Sequence, residues 1–257
     1  MSWGRSVPGR AILRLLLEAA ILVLAYLAYE AVRRFVAPSS HEAFGHAFSI
    51  IEIERSLGAF VEPDLQGAIV DHHWLVTLFN WVYVWGYLPV ISAAALYLYA
   101  FHRGFYTRYR NAFLLSGAIG LVIFATVPVA PPRMFPEFGF VDTVRERSAV
   151  YQQFEGSDLI NEFAAVPSFH FGWILLVGLA LIQTSKHLAM RALAVMLPVA
   201  MLLAIVLTAN HFWLDAVIGG AIVLAALAVV RALERVDLPT LRAHITTRRL
   251  GQALRLR

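Results

Sequence analysis

LAMRALAVMLPVAMLLAIVLTANHFWLDAVIGGAIVLAALAVV, residues 188–230, holds two long apolar runs with one polar turn between them. A helix needs about 20 apolar residues to cross a hydrocarbon layer about 30 Å thick. The stretch therefore reads as two membrane spans, at 188–209 and 212–232. The turn, Ala209 to Asp215, carries His211 and Asp215 at the mouth of the second run. An unpaired charge inside a span is costly, so Asp215 calls for a partner or a function.

Working outward, the same reading finds spans at 11–32, 78–101, 112–130 and 169–185. The chain of 257 residues is 60% hydrophobic and 15% charged, well above the apolar content of soluble domains. The expected fold is all-α: a polytopic membrane protein, a six-transmembrane-helix bundle, with residues 1–257 forming a single membrane domain. The first run follows Arg5 and Arg10, as a signal peptide does, but it is long and lacks a small-residue cleavage site, so an uncleaved span is expected. Within it, Arg14 and Glu18 are spaced to pair with each other. Residues 40–77 mix Phe44, Phe48, Ile51 and Phe60 with Glu52, Glu54 and Arg55, which suits a helix lying in the interface or a partly ordered loop.

There is no cysteine, which excludes disulfides, thiolate metal sites and cysteine nucleophiles. The net charge of +4 comes from basic residues flanking the spans, so it reports membrane orientation and implies no nucleic-acid partner. With the amino terminus inside, inner segments hold Arg5, Arg10, Arg103, Arg108, Arg110, Lys186, Arg191 and the seven arginines from Arg231 onward. Outer loops hold Arg33, Arg34, Arg55, Arg133, Arg145 and Arg147. The excess inside places both termini in the cytoplasm, in the plasma membrane as the expected location.

That topology gathers three polar clusters at the outer side: PPRMFP (131–136), PSFH (167–170) and ANHFWLD (209–215). Ser168 is a favoured N-cap residue, and the free amides of the helix it opens suit a phosphate. His170, in the first turn, can give a proton to a departing oxygen; an ordinary cap with an interfacial His is the bland alternative. His211 and Asp215 share one face if helical, so the carboxylate can orient the imidazole. A purely structural pair is the alternative there. Arg133 follows two prolines that fix its backbone, and its guanidinium can hold two phosphate oxygens; taken alone it also suits a lipid headgroup. Arg145 and Arg147 read as solvated loop charges. Trp74, Trp81, Tyr83, Trp85 and Tyr87 read first as an interfacial aromatic belt.

The order Arg…Pro-Ser-x-His…His-x-x-x-Asp, from Arg133 to Asp215, resembles the type 2 phosphatidic acid phosphatase superfamily. The resemblance implies a six-helix membrane bundle and a phosphohistidine intermediate. In it His211 is the nucleophile, Asp215 orients it and His170 protonates the leaving oxygen. Arg133, Ser168 and the amides after Ser168, Phe169 first, bind the phosphate. No metal and no cofactor are implied. The chain departs from the family pattern at Thr126, where a Lys is usual, at Ile205, where an Arg is usual, and at Phe169, where Gly is usual. These departures, with ERSLGAFVEPDLQ (54–66), RNAFLLSGAIGLVIFATVPVAPPRM (110–134) and GFVDTV (139–144), resemble bacterial relatives of the inositol phosphorylceramide synthase branch. Glu54, Glu62, Asn80 and Tyr83 are possible substrate-lining residues. The function expected is a membrane lipid-phosphate phosphatase. The alternatives are a phosphotransferase moving a phospho-headgroup to an alcohol acceptor, and a non-catalytic lipid binder or transporter. The partners are a membrane lipid phosphate, the bilayer and, for transfer, the alcohol.

Overall fold

The computed structural model describes residues 8–35, 39–147 and 162–235. Within them the regular structure is helical, apart from one isolated parallel bridge between Val129 and Ala164. In chain order the helices are α1 (Pro8–Phe35), α2 (Ser40–Ser56), α3 (Glu62–Val70), α4 (His73–Trp85), α5 (Leu88–Phe101), α6 (Arg103–Thr126), α7 (Thr143–Arg147), α8 (Phe169–Thr184), α9 (Leu188–Leu207) and α10 (Trp213–Arg235). Arg5 and the basic tail from Arg242, used above to orient the chain, lie outside the described residues.

Helices α1, α6, α9 and α10 are each long and apolar enough to cross a membrane. Helices α4 and α5, bent by 47° at a short break, form a fifth such segment if taken together. This marks an integral membrane protein, since a helix satisfies its own backbone groups in lipid. Helix α8, at 16 residues, is shorter than the spans. Among the described residues, length and composition alone support four crossings, or five with α4 and α5 taken as one; the remaining expected span, at 169–185, is the shorter α8.

Several boundaries differ from the sequence reading, each for a local reason. The expected span at 112–130 is helical from Arg103 and ends at Thr126. Pro128 disfavours helical backbone at Val127, which sits at φ −135°, ψ 71°. The expected span at 78–101 breaks at Gly86 and Tyr87, and Pro89 opens the second half. Residues 40–77 form α2, α3 and the start of α4, joined by short turns. Helix α2 buries Ala43, Ala47, Ile50, Ile51 and Glu54, and its apolar face packs on Val129, Ala130, Phe135 and Phe212. Glu18 takes a partner other than Arg14: it accepts hydrogen bonds from Tyr106 at 3.0 Å and from Arg110, both on α6.

Helix α8 packs between α9 and α10, and α6 closes the other side of α10. Lipid tails are as apolar as Leu, so apposed helices gain mainly from close packing, which small residues permit. Gly219 of α10 is one such place. A Cβ there would lie 2.3 Å from the Ser168 carbonyl oxygen, so only glycine lets α10 approach the start of α8. Conversely, Leu13, Leu16, Leu17 and Leu24 of α1 stay exposed, as suits a lipid-bathed surface.

Candidate active site

The ends of α6, α8 and α9 and the start of α10 are joined by backbone hydrogen bonds. The Arg133 amide donates to the Ala209 carbonyl at 2.8 Å, the Ser168 amide to the Asp215 carbonyl at 3.1 Å, and the Val129 amide to the Phe163 carbonyl at 2.8 Å. The three polar clusters, nearly eighty residues apart in sequence, therefore meet at one end of the bundle. Ala209 turns the chain there with φ 53°, a left-handed conformation costing about 1–2 kcal/mol for a residue with a Cβ. After it, the Asn210 and His211 amides both reach the Ile205 carbonyl, at 3.0 and 3.1 Å.

His211 is 5% exposed and lies in the turn, ahead of α10, so it does not share a helical face with Asp215. Its Nδ1 is 2.8 Å from the Ala165 carbonyl oxygen and 3.3 Å from Asp215 Oδ2. A carbonyl only accepts, so Nδ1 carries the hydrogen. Burial pushes the imidazole down to about 3, against which the Ala165 bond acts only in part. At neutral pH the ring is therefore neutral, and Nε2 is left with its lone pair. The expected orienting role is thus shared. Ala165 makes the shorter contact, while Asp215 Oδ2 also accepts the Phe212 amide at 3.0 Å and fixes the turn.

The His170 and His211 ring centres are 5.7 Å apart. His170 is held between Tyr83 at 4.5 Å and Tyr87 at 4.2 Å. Those two tyrosines leave the aromatic belt, whereas Trp74, Trp81 and Trp85 remain exposed as a belt requires. Tyr83 was legible as a lining residue. Tyr87 was not, because its position depends on the bend between α4 and α5.

Ser168 is the N-cap of α8, but its side chain makes no cap bond. The hydroxyl is fully buried and has no partner among the described residues. A buried donor left in this state costs about 1–3 kcal/mol, which an incoming oxygen acceptor would relieve. The first-turn amides of Phe169, His170 and Phe171 likewise have no acceptor within the helix. The Phe169 ring turns to α6, stacking on Trp173 at 4.6 Å and meeting Phe124 edge-on at 5.9 Å. It occupies the space a Cβ on Gly120 would need, 2.0 Å from the ring. Gly120 thereby makes room for the Phe that stands where glycine is usual.

The Arg133 side chain is 7% exposed; its Nη1 donates to Asn210 Oδ1 at 2.9 Å and its Nε lies 3.3 Å from Asp142 Oδ2. Asn210 in turn donates to Thr208 Oγ1 at 2.8 Å. Neither Asn210 nor Asp142 was singled out from sequence. Asn210 stands beside His211 in the polar turn, a signal that was available, while Asp142 comes from a distant loop. Thr126 sits exposed at the end of α6, bonded to the Val122 carbonyl at 2.8 Å, and Ile205 is fully buried, so neither supplies a polar substitute for the missing cations.

Asn80 exchanges hydrogen bonds with Thr143, at 2.8 and 3.2 Å, and so pins α7 to α4. Glu54 and Glu62 reach the start of α10: Glu62 Oε1 accepts the Trp213 amide at 3.0 Å and Glu54 Oε1 the Leu214 amide at 3.2 Å. These three proposed lining residues thus have structural partners.

The PAP2 superfamily profile matches residues 49–229, a region containing every residue of this cluster. The chain belongs to the PAP2 superfamily. Members are phosphatases or phosphotransferases, so the chain is an enzyme of that broad type. No curated protein and no solved structure was found to match it.

Proposed function

We propose that this PAP2 superfamily member is a membrane lipid-phosphate phosphatase working through a phosphohistidine on His211. The observation that carries this reading is the His211 Nδ1 contact with the Ala165 carbonyl, which leaves Nε2 as a lone pair close to a second imidazole. In the first step Nε2 forms a bond to phosphorus, the bond from phosphorus to the lipid oxygen breaks, and the proton that the monoanionic phosphate brings passes through His170 to that oxygen. In the second, His170 takes a proton from water as the water oxygen attacks phosphorus, and His211 leaves with its lone pair restored. Arg133, the Ser168 hydroxyl and the first amides of α8 hold the three remaining oxygens, where charge stabilisation contributes most to phosphoryl transfer. Six crossings, with α8 as the sixth, both termini cytoplasmic and the cluster at the outer face of a plasma membrane complete the reading.

Transfer is the second reading, favoured by Thr126 and Ile205, whose loss of cationic character matches the inositol phosphorylceramide synthase-like branch. There an alcohol hydroxyl replaces water in the second step.

Purified protein with a panel of lipid phosphates should release inorganic phosphate, and His211→Ala should lower the rate at least about 10³-fold. Acid-labile phosphate trapped on the wild type should be absent from the variant. Retained turnover in His211→Ala would remove His211 as nucleophile. A new phosphodiester formed only when an alcohol is supplied would select transfer. Lipid binding that survives loss of both His170 and His211, with no turnover in the wild type, would select the non-catalytic reading.

A further inference from the structure

Two acidic side chains next to the nucleophile's turn are not used by that chemistry. Glu54 comes from α2 and Glu62 from the first turn of α3, and both are 0% exposed. Each gives one oxygen to a first-turn amide of α10, at Leu214 and Trp213. Their remaining oxygens, Glu54 Oε2 and Glu62 Oε2, are buried with no N–H or O–H donor among the described residues. Because they accept from consecutive amides, Trp213 and Leu214, the two carboxyl groups lie side by side at the start of α10.

Two carboxylates in such contact repel strongly, and a single proton converts the contact into a hydrogen bond. Asp215 is the other charged group that faces Glu54, and it too is acidic. No cation pairs with either glutamate, and no group of three or more His, Cys, Asp or Glu side chains could hold a metal ion, among the described residues. A proton is then the charge balance these residues supply for themselves. One remaining negative charge suits the positive end of the α10 dipole.

We infer that Glu54 and Glu62 form a one-proton carboxyl–carboxylate clamp that positions the turn carrying His211 and Asp215. The inference rests on His211 being the nucleophile; the clamp itself does not touch substrate. Glu54 is the protonated partner, because its amide contact is the longer of the two. Burial, then the charge of Glu62, push the Glu54 carboxyl up to about 9. From the ordinary 4.5 to about 9, the unfolded chain releases a proton that the folded chain keeps. Stability therefore falls as pH rises across that window, and the clamp opens when the folded state loses its proton too.

The test compares full-length wild type, Glu54→Gln and Glu54→Ala in detergent, with dioleoyl phosphatidic acid as probe, from about pH 6 to about pH 10. Gln copies the neutral carboxyl's shape and can donate to Glu62. Glu54→Gln is expected to keep kcat within about twofold near neutrality and to lose the wild type's alkaline fall in kcat. Its melting midpoint should stay flat with pH where that of the wild type declines. Glu54→Ala should lower kcat about tenfold or more with KM little changed, since the phosphate contacts remain. Equal losses in Glu54→Gln and Glu54→Ala, or superimposable pH profiles for Glu54→Gln and wild type, would overturn the clamp. If the wild type releases no phosphate, the phosphatase reading fails, and the melting curves alone decide the clamp: parallel slopes reject it.

Discussion

The two ends of the helix bundle both hold polar groups and treat them in opposite ways. At the end far from the histidines, charged groups meet side chain to side chain. Glu18 takes Arg110 and Tyr106, Arg108 meets Glu234 at 2.7 Å, and Gln183 links Tyr109 and Arg231 at 2.6 and 3.0 Å. At the histidine end, side chains bond mostly to backbone: His211 to Ala165, Asp215 to Phe212, Glu54 and Glu62 to α10. Some atoms there have no partner among the described residues, the Ser168 hydroxyl and Asp215 Oδ1 among them. The two ends are separated along α6 by about 24 Å from Arg110 to Thr126, at 1.5 Å per residue. One end is satisfied within the protein and acts as a fastener. The other keeps unsatisfied polar atoms, which is the condition of a site that has something to receive.

This contrast can be broken by substitutions at each end. The largest effect is expected for Arg110→Met, which leaves Glu18 without its cation. Breaking this half-buried pair, 15% and 20% exposed, on one side should destabilise by about 1–3 kcal/mol, read as a lowered melting midpoint. Turnover below that midpoint should stay near wild type. A large loss of turnover at full folding would mean that the far end communicates with the site. Ser168→Ala should do the reverse: it removes a donor that has no partner among the described residues, so the melting midpoint should hold or rise. Phosphate release should fall about tenfold, worth about 1.4 kcal/mol of transition-state binding. A drop in stability without a drop in rate would place the hydroxyl in the structure rather than in the chemistry. The smallest effect belongs to Glu234→Ala. Its pair with Arg108 is 29% and 37% exposed, so the loss should stay under about 1 kcal/mol, with turnover unaffected.

Phe169 and the glycine opposite show how far a motif can be read along the chain. From sequence alone, Phe169 is a departure in the middle of a motif. Its consequence depends on Gly120, forty-nine residues earlier on another helix, whose missing Cβ admits the ring. Likewise the i, i+4 spacing of His211 and Asp215 suggests a shared helical face. The helix instead starts at Trp213, and the imidazole takes its shorter contact from Ala165, which no spacing rule identifies.

The sequence by itself determined that the chain lives in a membrane, that it is helical, and that its polar residues cluster at helix ends. These follow from run length, composition and local order, which act within about twenty residues. It also carried the motif order from Arg133 to Asp215. Only the tertiary structure decided that Tyr87 joins Tyr83 on His170, that Asn210 and Asp142 hold Arg133, and that Glu54 and Glu62 meet beneath α10. Each of these contacts spans separate helices whose bends and crossings set the distance, and a one-dimensional pattern does not encode a distance between helices.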